Sequence, residues 1–278
     1  MYKCGITGHS GVLGREAINN INFKYNFFKG DIRNKKDVYK WIIDNNFDLI
    51  LHFAAVVPVN LVEKDYSYAY DVNFNGTKNI INSILESKIK LKWFFYSSTS
   101  HVYSYSKNFQ KIRENFKKKP SNKYGKTKLK AENYIRKKTR YIKIPFCIGR
   151  IFSFTHPNQE KLYLIPSLTN KIKKNKKNII TLKNLNHYRD FVSTDDICKA
   201  IKKLWQQRAR GEFNIASGNK VYLEKIASFI CQKYRKKAKF INARKTSFLV
   251  ANIEKIKKIG WKPKNKINYI LKNYLKNK

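Results

Sequence analysis

Thr7-Gly8-His9-Ser10-Gly11-Val12-Leu13-Gly14 stands between a strand-like run, residues 2–7, and a helix-compatible one, residues 15–20. Glycines at 8, 11 and 14 in that setting permit a tight turn. They also let the backbone approach a pyrophosphate, whose charge is met by the first N–H groups of the helix. The same spacing suits a purely structural turn. Gly8, His9, Ser10, Gly11, Val12, Leu13 and Gly14 are therefore candidate cofactor contacts, and the rest of the chain has to supply a matching architecture.

Working outward, residues 22–29 read as a second strand, Gly30-Asp31-Ile32-Arg33 as a connection and residues 35–46 as a helix. A dinucleotide site places an acid about 20 residues beyond its glycines to bind the ribose hydroxyls. Asp31 is the only acid near that place, with Lys29 beside it, and it equally fits the start of the next helix. Residues 49–53 read as a buried strand ending in Phe53 and the small Ala54-Ala55, which let a cofactor pass close to the sheet. Residues 71–87 read as a long helix carrying Asn73 and Asn75-Gly76-Thr77. Residues 91–96 read as a strand that leads into Ser97-Ser98-Thr99-Ser100-His101, and 141–146 as a last central strand.

This alternation predicts an α/β fold, a doubly wound Rossmann-type parallel sheet covered on both faces. Ligands then sit at the carboxyl ends of the strands. Further on, 166–174 and 194–207 read as helices, the second capped by Ser193 or Thr194, and 179–182 as a short strand. Residues 211–216, 221–234 and a closing helix after Trp261-Lys262-Pro263 complete a smaller α/β C-terminal lobe. The expected division is 1–146 for the dinucleotide-binding domain, with 186–207 packing back onto it, and 147–278 for the substrate-binding lobe.

Ser121-Asn122-Lys123-Tyr124-Gly125-Lys126-Thr127-Lys128 adds chemistry. Pro120 and Ser121 are expected to stop the preceding chain and cap a helix, which places Tyr124 and Lys128 on one face. A phenol titrates near pH ~10, and a cation one turn away favours the phenolate, so the pair fits a proton relay. It also fits a solvated face on a Lys-rich helix. Gly125 costs about 1 kcal/mol relative to alanine inside a helix, which makes sense if something bulky lies against the backbone there.

The formal charge is +42 over 278 residues, which by itself suggests a nucleic-acid or anionic-membrane partner. The lysines, however, are spread over nearly every segment among Asn, Ile, Tyr and Phe, all encoded by A/T-rich codons, so genome composition accounts for much of the charge. Cys4, Cys147, Cys198 and Cys231 lie far apart without paired spacing. That spacing argues against a disulfide framework or a zinc site and fits a reducing cytoplasm. No apolar run approaches the ~20 residues of a membrane span, and the first residues read as a strand, so neither signal peptide nor anchor is expected.

Taken together, the chain resembles the extended short-chain dehydrogenase/reductases that act on nucleotide-diphosphate sugars. The resemblance rests on the glycine loop ending Val12-Leu13-Gly14, Gly30-Asp31-Ile32-Arg33-Asn34, His52-Phe53-Ala54-Ala55, Asn73 with Asn75-Gly76-Thr77, Ser97-Ser98-Thr99, Tyr124 with Lys128, Arg189-Asp190-Phe191-Val192 and Phe213-Asn214-Ile215. It implies Tyr124 as general acid/base, Lys128 lowering its pKa and binding the nicotinamide ribose, and Thr99 hydrogen-bonded to the reacting sugar oxygen. Arg189 is implied to face the substrate diphosphate, and Cys147 to occupy a place where relatives carry a substrate-contacting Asn. Asp31 and Ile32 fall where relatives contact adenine.

The resemblance further implies an NAD(P)(H) cofactor, a nucleotide-sugar substrate and a homodimer, with no membrane role; an RNA- or polyanion-binding member of the fold is the alternative that the +42 charge raises, and the intact Tyr124, Lys128 and Thr99 set argues against it. Dehydratases of that family carry acids directly after the catalytic Thr. Ser100 and His101 stand there instead, which favours 4-keto-sugar reduction or C4 epimerisation over dehydration. No acid ends the second strand, so NADP is expected to be tolerated beside NAD.

Overall fold

A computed structural model describes residues 1–140, 144–242 and 245–278. The chain runs β1 (Lys3–Thr7), α1 (Val12–Asn20), β2 (Lys24–Phe27), α2 (Lys35–Asn45), β3 (Leu49–His52), α3 (Val59–Lys64) and α4 (Tyr66–Tyr70). A π-helical turn, Asp71–Gly76, leads into α5 (Thr77–Glu86), then β4 (Trp93–Thr99), a 3-10 turn Ser100–Val102, β5 (Lys111–Ile112), α6 (Lys123–Thr139) and β6 (Phe146–Ile151). Next come α7 (Leu164–Lys174), β7 (Ile179–Lys183), β8 (Tyr188–Arg189), α8 (Thr194–Gln206), β9 (Gly211–Ile215) and β10 (Val221–Tyr222). The chain closes with α9 (Leu223–Lys233), β11 (Lys237–Ile241), β12 (Phe248–Ala251), α10 (Glu254–Lys257) and α11 (Ile267–Lys276).

Six parallel strands in the order β2-β1-β3-β4-β6-β9 form the central sheet. β3 and β6 are buried along their whole length, as strands covered on both faces must be. One apolar layer joins the sheet to α1 and α8 through Cys4, Ile6, Ala17, Ile197 and Leu204. The opposite layer joins it to α2, α5 and α6 through Val38, Ile80, Ile84, Phe94, Ala131 and Ile135. The strand order reverses between β1 and β3, so the loops after these two strands flank the crevice where such sheets bind ligands.

The remaining strands form a four-stranded sheet, β10-β8-β12-β5, and a parallel pair, β11-β7. α7, α9 and α11 pack together through Ile172, Ile226, Ile230 and Leu271. The short strands β5, β8, β10 and β12 escaped the sequence reading because two to four residues carry no readable period.

Three expectations shift. The strand expected over 141–146 is found at β6, Phe146–Ile151, with β9 as the outer strand beyond it; residues 141–143 fall outside the described residues. Pro145 has no N–H for a central ladder, and its carbonyl accepts from the Phe94 N–H as the strand begins behind it. The cap of α6 is Asn122, not Ser121. The helix expected over 71–87 opens with the π-helical turn that holds Asn73, a local form frequent at functional sites.

Candidate active site

The glycine loop is built for close approach. Gly8 has φ +70, and a Cβ there would meet the Ala54 nitrogen at 2.5 Å. A Cβ on Gly14 would come within 2.2 Å of the Gly8 carbonyl oxygen. Gly11 begins α1 without any side-chain cap, which leaves the first-turn N–H groups of Val12, Leu13 and Gly14 for an external anion. The His9 ring stacks on Phe27 at 4.9 Å, and its Nδ1 is buried with no protein partner. Ser10 is exposed at the rim. These features fit the pyrophosphate of a dinucleotide.

The loop after β3 forms the other wall. The Phe53 N–H donates to the Thr7 carbonyl at 3.1 Å, and the Ala54 N–H donates to Thr7 Oγ1 at 3.3 Å. Ala55 lies beside them, half-buried. Beneath, His52 Nδ1 lies 2.6 Å from Thr7 Oγ1, and its Nε2 lies 2.9 Å from Thr77 Oγ1. Burial first, and Lys128 second, push the His52 pKa down to about 3, so the ring is a neutral strut.

Asn73, expected at the cofactor, is fully buried. Its Oδ1 accepts from the Val56 N–H, and its Nδ2 donates to the Val56 carbonyl and to Thr127 Oγ1. It clamps the loop after β3 to α6, with both amide N–H groups spent on protein partners. Asp31 is exposed and held bidentate by Arg33, at 2.5 Å from Nη2 and 2.9 Å from Nε. It caps no helix, since Asn34 caps α2. Ile32 is buried against Gly76, where a Cβ would stand 2.5 Å from Ile32 Cγ2.

The expected catalytic trio does meet. Thr99 ends β4 beside Tyr124: its Oγ1 accepts from the His101 N–H, and the His101 ring packs on the Tyr124 ring. Burial raises the Tyr124 pKa above its usual value, and the Thr99 hydroxyl opposes that. Lys128, one turn on, is 2% exposed, with Nζ 4.3 Å above the centre of the Tyr96 ring. Burial pushes its ammonium down to about 7, against the pull of Glu132. The expected bias toward phenolate is thus outweighed by desolvation: the phenol stays protonated, and the lysine titrates near neutral pH.

His101 packs edge-on against Tyr124, with ring centroids 5.8 Å apart. Its backbone N–H donates to Thr99 Oγ1 at 3.2 Å, and its Nδ1 lies 2.8 Å from Asn122 Nδ2. The group lying against Gly125 is the His101 carbonyl, 2.2 Å from where a Cβ would be. Arg189 is half-buried over Tyr105 at 4.7 Å and donates to the carbonyls of Tyr188 and Ser247. Its charge also reaches His101. Asp190 takes no part in an ion pair with it, because that buried carboxylate accepts from Ser217, Gly218 and Ala251.

Cys147 does not belong to the site. It is fully buried as the second residue of β6, level with Phe95, whereas Thr99 is level with Ile151. Four residues of strand, roughly 13 Å, separate it from the ligand end. The strand begins at Phe146, later than the apolar run suggests, which carries Cys147 away from the ligand end.

A buried charged cluster behind α6 is absent from the sequence expectations. Arg150 is fully buried and grips Glu132 through Nη2 at 2.7 Å and Nε at 3.0 Å. Ser98 donates to Glu132 at 2.6 Å, and Tyr103 bonds both Arg150 and Asn214. The readable sign was spacing: Tyr124, Lys128 and Glu132 recur every fourth residue on one helix face.

Residues 7–274 match the family described as GDP-mannose 4,6 dehydratase. The chain belongs to that family. It is thereby a member of the NAD-dependent epimerase/dehydratase branch of the extended short-chain dehydrogenase/reductases. Human dTDP-D-glucose 4,6-dehydratase is 27% identical over 90% of this chain and 73% of its own length. The putative UDP-glucose 4-epimerase of Methanocaldococcus jannaschii is 29% identical over 93% of this chain and 87% of its own. Among solved structures, RMD from Pseudomonas aeruginosa complexed with NADPH superposes with a TM-score of 0.87 at 18% identity, covering 100% of this chain and 98% of that one. That likeness bears on the fold. Among the described residues, no helix is long and apolar enough to cross a membrane.

Proposed function

We propose that the protein is a nicotinamide-dependent oxidoreductase acting at C4 of a nucleotide-diphosphate sugar, in the direction of 4-keto-sugar reduction. The observation that carries this reading is buried Tyr124, one helical turn from buried Lys128 and joined to Thr99 at the end of β4 through His101, with Ser100 and His101 where a dehydratase needs carboxylates. The glycine loop, the uncapped start of α1 and the Phe53-Ala54-Ala55 wall would hold the dinucleotide. When bound, the nicotinamide supplies the hydride that C4 accepts. Tyr124 gives its phenolic proton to the C4 oxygen, so that the carbonyl becomes an alcohol, while the Thr99 hydroxyl holds that oxygen in place. Lys128, able to carry a proton near pH 7, stabilises the phenolate left behind. The Arg189 guanidinium suits the diphosphate.

Exchangeable NADPH is favoured because Asp31 is spent on Arg33 and β2 is the outermost strand of the sheet, which leaves the adenosine side short. C4 epimerisation with retained NAD is the second reading, supported by the similarity to the putative epimerase. Identifying the nucleotide that co-purifies separates the two. Tyr124→Phe is expected to lower turnover by about two to four powers of ten with cofactor binding intact; turnover within threefold of the unaltered protein removes Tyr124 from the chemistry.

A further inference from the structure

Hydrogen-bond polarity fixes the state of one imidazole beside the catalytic tyrosine. Oδ1 of Asn122 accepts from the Gly125 N–H at 2.8 Å as the cap of α6. A backbone N–H can only donate, so the amide oxygen must face it and the amide nitrogen must face the other way. On that side Asn122 Nδ2 stands 2.8 Å from His101 Nδ1. An amide nitrogen can only donate as well, so His101 Nδ1 is an acceptor and the neutral ring carries its proton on Nε2. Among the described residues nothing bonds that Nε2.

Protonating Nδ1 would set two donors against each other and break the bond to the helix cap. The groups facing the ring do not favour a cation either. Burial disfavours charge and the Arg189 guanidinium from β8 repels it, and these two hold the pKa down to about 4; the Tyr124 phenol from α6 is protonated and offers no counter-charge. With its proton on Nε2 the ring has no lone pair there to act as a base. Surrendering that proton would leave an imidazolate. His101 is therefore a fixed donor and neither a general acid nor a general base, the use of neutral imidazole that suits polarising an oxygen.

Resting on the reading of this site as a C4 sugar oxidoreductase, we propose that Asn122 is a positioning residue that locks His101 as a neutral donor, and that the His101 Nε2–H selects a sugar carrying an oxygen acceptor beside the reacting carbon. The family's water-eliminating chemistry then has no proton carrier at this place, and the helix cap that positions Tyr124 also sets substrate choice.

Histidine-labelled protein tests this without turnover. Two-bond proton–nitrogen correlation spectra report the tautomer of each of the five histidines, with His101 assigned by His101→Gln. The expected result is an Nε2–H ring from about pH 5.5 to 8.5. Asn122→Asp keeps a good capping oxygen but has no N–H to donate, so it should move the proton to Nδ1 and raise the His101 pKa by about one unit or more. An Nδ1–H or charged ring in the unaltered protein overturns the proposal, as does an Asn122→Asp spectrum that does not change. With NADP⁺ present, UDP-glucose, dTDP-glucose and GDP-mannose are then compared with UDP, dTDP and GDP. The Nε2 resonance should move with at least one sugar nucleotide and not with its diphosphate; no difference for any of the three overturns the selecting role. Failure of NADP⁺ and NAD⁺ to bind at all would instead overturn the oxidoreductase reading, with the tautomer result still standing.

Discussion

Replacing Gly125 with alanine should destabilise the protein and slow it, the reverse of the usual effect in a helix. In an open helix the added methyl would contribute about 1 kcal/mol. Here the Cβ would stand 2.2 Å from the His101 carbonyl oxygen, 2.9 Å from its carbon and 3.1 Å from the Pro120 Cβ. Carbon and oxygen in contact need roughly 3.2 Å, so the His101 peptide and the first turn of α6 must part by about 1 Å. Overpacking of that kind costs about 1–3 kcal/mol, which cancels or exceeds the helix gain and leaves a net loss of up to about 2 kcal/mol. Each kcal/mol corresponds to about 2–4 °C in Tm for chains near this length. The same displacement pulls Thr99 away from Tyr124, and an error of 1 Å in such a site costs about a hundredfold in rate. Thermal unfolding and turnover are measured together, with Lys126→Ala on the exposed side of α6 as control. A raised Tm with turnover within threefold of the unaltered protein would refute the reasoning.

Lys128→Met should abolish turnover yet raise the thermal stability of the cofactor-free protein more at pH 6 than at pH 9. The folded pKa of Lys128 lies at about 7, below the ordinary lysine value. The unfolded chain therefore binds the extra proton between the two values, and stability rises with pH across that window; equal gains at both pH values would show that the ammonium is not buried. Glu132→Gln should cost about 3–5 kcal/mol by leaving Arg150 buried beside a neutral amide, checked by denaturant unfolding. Lys29→Glu should weaken NADP⁺ binding and spare NAD⁺, read as ligand-induced shifts in Tm. A preference of the unaltered protein for NAD⁺ above about a hundredfold would show that an acid holds the ribose.

The sheet and its ligand end were legible because glycine spacing and buried apolar runs are local and obey one period each. Tyr124 and Lys128 were legible for the same reason, being one helical turn apart. Gly125 announced a close neighbour, but not that the neighbour would be the carbonyl of His101, which arrives from a loop 24 residues earlier. Asn73 was recognisable as special, while its clamp on Val56 and Thr127 depends on three segments meeting. Pro145 was the available warning against a strand over 141–146, and heeding it would have moved Cys147 out of the site as well. Glu132 and Arg150 were hidden by composition: in a chain so rich in cations, one more arginine draws no notice until its burial is known.

The path of the chain between its sheets limits how the molecule can move. It leaves the central sheet after β4 to lay β5 beside β12, returns through α6 to β6, leaves again for α7, β7 and β8, returns through α8 to β9, and departs once more for β10. A hinge opening the crevice would have to bend at every one of these crossings at once, and Asp190, bonded to Ser217, Gly218 and Ala251, rivets three of the segments together. The crossings and the buried Asp190 bonds therefore resist clamshell motion and favour exchange of substrate by local yielding of the surface loops, so the clock for exchange is set by side chains and turns rather than by the swing of whole bodies.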